Sequence, residues 1–259
     1  MAFRTEQEAF WAGQFGTDYM RRNDGGAALA SNLSFFAHIL RRASRIGSCI
    51  EFGASVGLNL RALKLLFPQM TQTGIEINPD AARILADHIG ESQVYQGSLF
   101  DYQVTVPADL ALVMGLLIHI NPDMLAATYR KLYEASTRWL LVCEYYNPTP
   151  VAIPYRDHSD RLFKRDFTGE MLDMFSDLEL VDYGFVYRRD PIFPQDDITC
   201  CLLYTSWPAA TPRSLQQSSC LINRCPSSCC VPPPHRCPFA LASVSVACAS
   251  VTAVTARGC

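Results

Sequence analysis

An α/β fold, with a largely parallel sheet covered by helices on both faces, is what this sequence predicts, and three observations predict it. Short, nearly continuous apolar runs alternate with stretches of helical spacing, the pattern of strands buried on both faces. Glycine or proline punctuates several of the junctions between them, as expected where strands and helices stop. The chain has 259 residues, 49% of them hydrophobic, enough for one domain with a proper core.

The elements follow in order. Leu29, Leu33, Phe36, Ile39 and Leu40 fall near helical spacing within 27–45, and Gly47 closes that helix. Residues 48–52 form an apolar strand that ends at a glycine turn, 58–67 are helical, and Pro68 stops the helix. A strand at 71–77, a helix at 79–88 and strands at 93–96 and 109–114 come next. Pro122 opens a helix to about residue 135, and 138–144 is a strand. After a long polar connection, 167–175 is helical, 180–187 is a strand and 197–203 begins another. The count is seven strands, the last two joined by a short proline-containing loop suited to an antiparallel pair. No internal repeat is visible.

Composition breaks sharply near residue 200. Nine of the 11 cysteines lie at or after Cys200, and no Asp, Glu or Lys follows Asp197. Of the 22 basic residues, Arg213, Arg224, Arg236 and Arg257 lie in the tail, so residues 1–206 hold 18 basic against 25 acidic side chains, a net of −7. An acidic body argues against nucleic acid as a partner. Only Cys49 and Cys143 precede Cys200, as in a reducing compartment. The opening MAFRTEQEAF lacks a secretory pattern, and the apolar run 110–120 is too short to span a bilayer. A cytoplasmic protein with no membrane partner is expected; the oligomeric state is not indicated.

The turn Gly53-Ala54-Ser55-Val56-Gly57, in SCIEFGASVGLNLRAL, fits three machines. As G-x-S-x-G it would be a hydrolase nucleophile elbow, which needs several strands before it and a late histidine. Only an arm and a helix precede Ser55, and no histidine of the body follows His158. A dinucleotide site needs G-x-G-x-x-G, and Ser55 and Leu58 occupy the second and third glycine positions. The remaining reading is Glu51-x-Gly53-x-Ser55-x-Gly57, an acid at the strand end before the turn. It suits a ligand carrying an ammonium and a carboxylate but no phosphate, the carboxylate meeting N–H groups at the helix start. Glu76, in GIEIN at the next strand end, stands 19 residues past Gly57, where an acid would hold ribose hydroxyls. The bland alternative is a solvated strand cap.

With IEFGASVG, GIEIN, QGSLFD and DLALVMGLLIHINPD in this order, residues 10–203 resemble the class I S-adenosylmethionine-dependent methyltransferases. The resemblance implies a Rossmann-like, doubly wound sheet ordered 3-2-1-4-5-7-6. More narrowly, AFWAGQFGTDYMRRN, EYYNPTPVAIPYR and LFKRDFTGEMLD look similar to the pseudaminic acid biosynthesis-associated methylases. It implies S-adenosyl-L-methionine as cofactor on Glu51, Gly53, Ala54, Ser55 and Gly57, with Glu76 and Ile77 at the ribose, Ser98 and Leu99 near adenine, and Met114 beside them. Where many members carry an acid against the adenine amino group, this chain has Ser98, with Asp101 as a substitute. Ser55 replaces the commoner glycine and is tolerated in a β or α conformation.

Methyl transfer is an in-line displacement, so positioning dominates, with a base where the acceptor is a hydroxyl. His119, Glu144 and Tyr145 follow or end strands on the ligand-binding edge and are the catalytic candidates. A packed histidine, a satisfied carboxylate and a packed ring are the alternatives. Asn147-Pro148-Thr149-Pro150 follows the wrong strand for an amine-methylase motif and is read as a turn. No metal is expected. Arg156, Arg161 and Arg165 concentrate positive charge and are assigned to an anionic acceptor, a sugar or sugar nucleotide of the nonulosonic acid pathway; the alternative is a solvated face. Trp11, Phe15 and Tyr19 recur every four residues. Helical aromatic stripes are usually core, but Tyr19, Arg22 and Asn23 are also lid candidates. A methylase of another small molecule and a non-catalytic cofactor-binding partner protein stay open.

Three regions are expected: 1–46, the N-terminal arm and helix, as lid; 47–203, the methyltransferase domain; and 204–259, an irregular tail rich in Cys, Pro and Ser. The tail reads as disordered or as an artefact. Cysteines 225, 229, 230 and 237 have only loose ligand spacing. Cys201-Leu202-Leu203-Tyr204-Thr205-Ser206 back-translates, codon for codon, to a transposon end used in preparing sequencing libraries. On that reading the natural frame ends near Thr199, and 197–203 is an improvised edge strand.

Overall fold

The structure, a computed structural model, describes residues 3–23 and 26–205. The expectation for the tail from residue 206 on, and the roles given to the Arg22 and Asn23 side chains, fall outside the described residues.

The chain opens with α1 (Glu6–Ala12), started by a capping box in which the Thr5 side chain accepts from Glu8 N while the Glu8 carboxylate accepts from Thr5 N. Helix α2 (Gln14–Asn23) follows Gly13. Trp11 therefore lies on one helix and Phe15 and Tyr19 on the next, which corrects the reading of a single stripe. A Cβ at Gly16 would sit 2.0 Å from the Trp11 carbonyl oxygen, so this close return needs glycine.

Helix α3 (Gly26–Ile39) leads through a 3₁₀ turn, Leu40–Arg42, into the main sheet. Its elements are β1 (Ser48–Phe52), α4 (Leu58–Leu66), β2 (Thr71–Glu76), α5 (Pro79–Ile89), β3 (Val94–Gln96), β4 (Ala108–Met114), α6 (Leu125–Glu134) and β5 (Ser136–Glu144). A two-stranded sheet of β6 (Val151–Ala152) and β7 (Phe163–Lys164) interrupts the long connection. The chain then forms α7 (Phe167–Met174), β8 (Leu178–Val186) and β9 (Ile198–Thr205). Each predicted strand is found within about two residues; the β6/β7 pair, too short to leave a period, was not predicted.

The sheet runs β3-β2-β1-β4-β5-β9-β8, which is 3-2-1-4-5-7-6 once the two short strands are set aside. Pairs from β3 to β5 are parallel, and β9 is antiparallel to both β5 and β8. Period-two alternation sends Ala111 and Val113 into one core with α6 and α7, and Leu110 and Leu112 into a second with α3, α4 and α5. Among the described residues no helix is long and apolar enough to cross a membrane.

One expectation is overturned here. Strand β9 is not at an edge: it lies between β5 and β8, registering Glu144 with Thr199 and Trp139 with Tyr204. Leu202 and Leu203 are wholly buried, and Tyr204 and Thr205 continue the strand beyond the expected boundary at 203. Apolar side chains pointing to both faces are what a central strand needs, and CLLYT supplies them.

Candidate active site

The C-terminal edge of the sheet opens on a cavity of about 660 Å³, the place where open α/β sheets bind ligands. Its floor is the β1–α4 turn. Gly53 and Ala54 donate through their N–H groups to the Ile75 carbonyl at 2.9 and 3.0 Å, lashing the turn to β2. Gly57 has φ 81°, and a Cβ there would lie 2.6 Å from Leu85 Cδ1, so turn and helix packing both require glycine. Ser55 also adopts a left-handed φ of 48°, contrary to the extended or α-helical backbone expected for it. Its N–H donates to Glu76 Oε2 at 2.7 Å, and the Asn78 N–H donates to Oε1 at 2.7 Å. Glu76 is thus fixed at the end of β2, facing the cavity. Burial raises its carboxyl above the ordinary range, opposed by the N–H groups of Asn78 and Ser55.

Gly53, Ala54, Ser55, Glu76, Ile77, Leu99 and Met114 line the cavity. Glu51, Gly57 and Ser98, predicted alongside them, stand behind the wall. Ser98 donates its hydroxyl to Glu8 of the arm, and Glu8 lines the cavity in its place. Asp101 pairs with Arg4 instead. Glu51 is 1% exposed; burial pushes its carboxyl up to about 8, against a hydrogen bond donated by Asn59 Nδ2.

The three catalytic candidates divide. His119 lines the cavity in a 3₁₀ turn after β4. Its Nδ1 lies 2.6 Å from the Arg161 carbonyl oxygen; the carbonyl can only accept, so Nδ1 carries the hydrogen and Nε2 keeps its lone pair. Burial lowers its pKa to about 4, so the ring is neutral at pH 7. Tyr145 also lines the cavity, with Lys164 Nζ 5.0 Å from its ring centroid. Glu144 does not, and its catalytic assignment is corrected. Its Oε1 accepts N–H bonds from Leu116 and Leu117 at 2.9 and 2.8 Å, and its Oε2 one from Ile118 at 3.3 Å. It holds the loop that carries His119.

The arm roofs the cavity with Gln7, Glu8, Trp11, Tyr19 and Met20. Asn78 Nδ2 donates to the carbonyls of Trp11 and Gly13, both at 3.2 Å, and Thr17 donates to Asp80 at 3.0 Å. The Trp11 ring lies 4.4 Å from that of His119. On the far side Gln7 donates to the Asp160 carbonyl, and Arg161 pairs with Glu6 at 2.8 Å and with Asp160 at 2.5 Å. Arg165 pairs with Glu170 at 2.6 Å. Neither these arginines nor the exposed Arg156 line the cavity. Their assignment to the acceptor is corrected: Arg161 and Arg165 are neutralised by neighbouring carboxylates, and Arg161 clamps the arm.

Sequence reasoning missed several groups in the wall: Glu8, Asn32, Asn59, Tyr155, Arg188 and Gln195. Only Glu8 left a signal, the Thr5-x-x-Glu8 capping box, which announces a helix start but not a reach to Ser98. Among the described residues, Arg188 on the β8–β9 loop lines the cavity as a cation and is paired with Asp197 at 3.3 Å.

No protein-family model matches the sequence, and no curated protein matches it. Solved structures share the fold. The 1,6-didemethyltoxoflavin-N1-methyltransferase of Burkholderia thailandensis is 18% identical, aligning 79% of this chain with 91% of that one at a TM-score of 0.58. The magnesium protoporphyrin IX methyltransferase of Synechocystis PCC 6803 is 14% identical over 77% of this chain and 98% of its own, with a TM-score of 0.57. Mitomycin 7-O-methyltransferase is 15% identical over 78% of this chain but only 61% of its own length, at a TM-score of 0.56. At such identities the likeness establishes the architecture: the chain has the Rossmann-like fold of these methyltransferases.

Proposed function

We propose that this chain is an S-adenosylmethionine-dependent methyltransferase acting on a small molecule. The observation that carries the reading is the placement of Glu76 and the Gly53–Gly57 turn on one cavity wall, under an aromatic roof. The two structures of this fold from Burkholderia and Synechocystis hold bound S-adenosylhomocysteine.

The cavity suits the cofactor in volume and in chemistry. Its volume lies within the range of small-molecule sites. Glu76 presents a carboxylate to a diol, while Ile77, Leu99 and Met114 give apolar flanks. The Gly57 N-cap places no side chain over the first amides of α4, leaving them open to a carboxylate. When bound, the sulfonium supplies an electrophilic methyl group. The protein orients and dries the site: the arm closes the top, and neutral His119 offers Nε2 to a hydroxyl or amine acceptor as hydrogen-bond acceptor and proton acceptor.

For the acceptor, the reading is a sugar or sugar nucleotide of the nonulosonic acid pathway. It is supported by the sequence segments that resemble the pseudaminic acid-associated methylases, because those segments supply Trp11, Tyr19, Tyr145 and Tyr155 to the cavity. An anionic group of the acceptor would compete with Asp197 for Arg188, which lines the cavity where Arg161 and Arg165 do not. Incubation with methyl-labelled S-adenosylmethionine and a panel of nonulosonic acids, free and nucleotide-activated, tests this: label in a sugar is expected. Label only in unrelated small molecules would overturn the acceptor, and cofactor binding with no transfer to any panel member would point to a non-catalytic partner.

A further inference from the structure

A chain of amides, buried at Asn32 and half-buried at Asn59 and Gln195, joins the cavity wall to the buried carboxyl of Glu51. Gln195, in the β8–β9 loop, donates from Nε2 to Asn32 Oδ1 at 2.7 Å. Asn32, on α3, donates from Nδ2 to Asn59 Oδ1 at 2.8 Å. Asn59, in the first turn of α4, donates from Nδ2 to Glu51 Oε1 at 2.6 Å. Every bond points the same way, toward the carboxylate, so the chain has a polarity that Glu51 sets. Gln195, Asn32 and Asn59 line the cavity.

The chain leaves polar atoms over. Gln195 Oε1 is buried and has no partner, and neither has Glu51 Oε2. Gln195 Oε1 is an acceptor, and a buried acceptor without a donor costs about 1–3 kcal/mol; because Gln195 is the end of the chain that lines the cavity, a donor from a ligand is called for there. The neighbouring Asp196 carboxylate also lines the wall, and Arg188, on the same loop, is paired with Asp197. Acceptors and negative charge together select a cation that carries several N–H groups. Asn59 belongs to the first turn of α4, whose uncapped amides suit a carboxylate. A ligand with a carboxylate at that helix start and an ammonium a few bonds away would satisfy both.

We propose that Gln195, held in orientation by Asn32, Asn59 and Glu51, is a binding and specificity residue for the primary ammonium at the amino-acid end of the cofactor. The inference rests on the cavity being an S-adenosylmethionine site. It assigns the β8–β9 loop, which carries Arg188, Gln195 and Asp196, to the cofactor as well as to the acceptor. Asn32 and Asn59 act through Gln195 as positioning residues.

The test is calorimetric titration of the full chain with S-adenosylhomocysteine and with its desamino analogue, in which hydrogen replaces the ammonium. The wild-type chain is expected to prefer the amino form. In Gln195→Leu that preference should fall by about tenfold or more, the scale of one charge-assisted hydrogen bond. Asn32→Leu should lower the preference as well, and the double variant Asn32→Leu/Gln195→Leu should lower it no further than Gln195→Leu alone. Gln195 sits in a loop and is only partly buried, so its variants test the contact even where Asn32→Leu fails to fold. An unchanged preference in a folded Gln195→Leu chain would overturn the inference and leave the cofactor reading standing. Binding of neither ligand by the folded wild-type chain would overturn that reading itself, and the inference with it.

Discussion

Removing the Glu144 carboxylate would strand three backbone N–H groups in the loop that carries His119. Glu144→Ala should therefore destabilise the fold by about 3 kcal/mol, seen as a lower denaturant midpoint; an unchanged midpoint with lost turnover would return Glu144 to the chemistry. His119 is the reverse case, since it spends one nitrogen on structure and offers the other to the cavity. His119→Gln should leave cofactor affinity unchanged and lower turnover about 100-fold; equal turnover would reduce it to a packing residue. Ser55 carries strain at φ 48°, so Ser55→Gly should raise stability by about 0.5–1 kcal/mol, the left-handed penalty less glycine's extra freedom when unfolded. A loss instead would show that its side chain compensates. Glu76 could be read from the sequence because strand end, spacing and residue type agree. Glu8, Asn32, Asn59 and Gln195 could not, because polar residues on helices and loops look like solvated faces until tertiary docking buries them.

At the scale of elements, the least expected behaviour belongs to β9. Ile198, Leu202 and Leu203 are buried in it, worth on the order of 5 kcal/mol together, which approaches the whole net stability of a domain. A chain ended after Thr199 should fail to fold, whereas one ended after Ser206 should unfold cooperatively; a cooperative transition in the shorter chain would show that β8 can pair with β5 directly. The strand forms whatever the origin of its codons, because the alternation in ITCCLLYT meets the demand of its position. The main sheet was legible for the same reason: buried parallel strands need continuous apolar runs, and such runs are hard to mistake. The arm was legible only as helical and aromatic. Its break at Gly13 meets Asn78, 65 residues on, and its clamp through Arg161 depends on partners more than 100 residues away.

Across the whole molecule, buried titratable groups set the response to pH. Burial raises Glu51 and Glu144 to about 8. The folded state therefore binds protons that the unfolded state has released, and this contribution to stability, full below the ordinary carboxyl range, is lost as pH rises through 8. His119 is lowered to about 4, so its contribution is present above its unfolded value near 6.5 and is lost as pH falls toward 4. Between pH 6.5 and 8 the His119 contribution stays constant, and the melting temperature should fall as the raised glutamates lose their protons, with Glu51→Gln removing part of the slope. A flat profile in the wild-type chain would mean that neither carboxyl is raised.

The proposed function stands on one cavity, built from the Gly53–Gly57 turn, Glu76 and the arm, as the place for S-adenosylmethionine. Its decisive check is calorimetric titration of the full chain with S-adenosylhomocysteine, beside NAD and the Glu76→Ala variant. Binding of S-adenosylhomocysteine and not of NAD is expected, weakened about tenfold or more in Glu76→Ala through loss of a charge-assisted hydrogen-bond pair. No binding by a demonstrably folded chain, or equal binding of NAD, would contradict it.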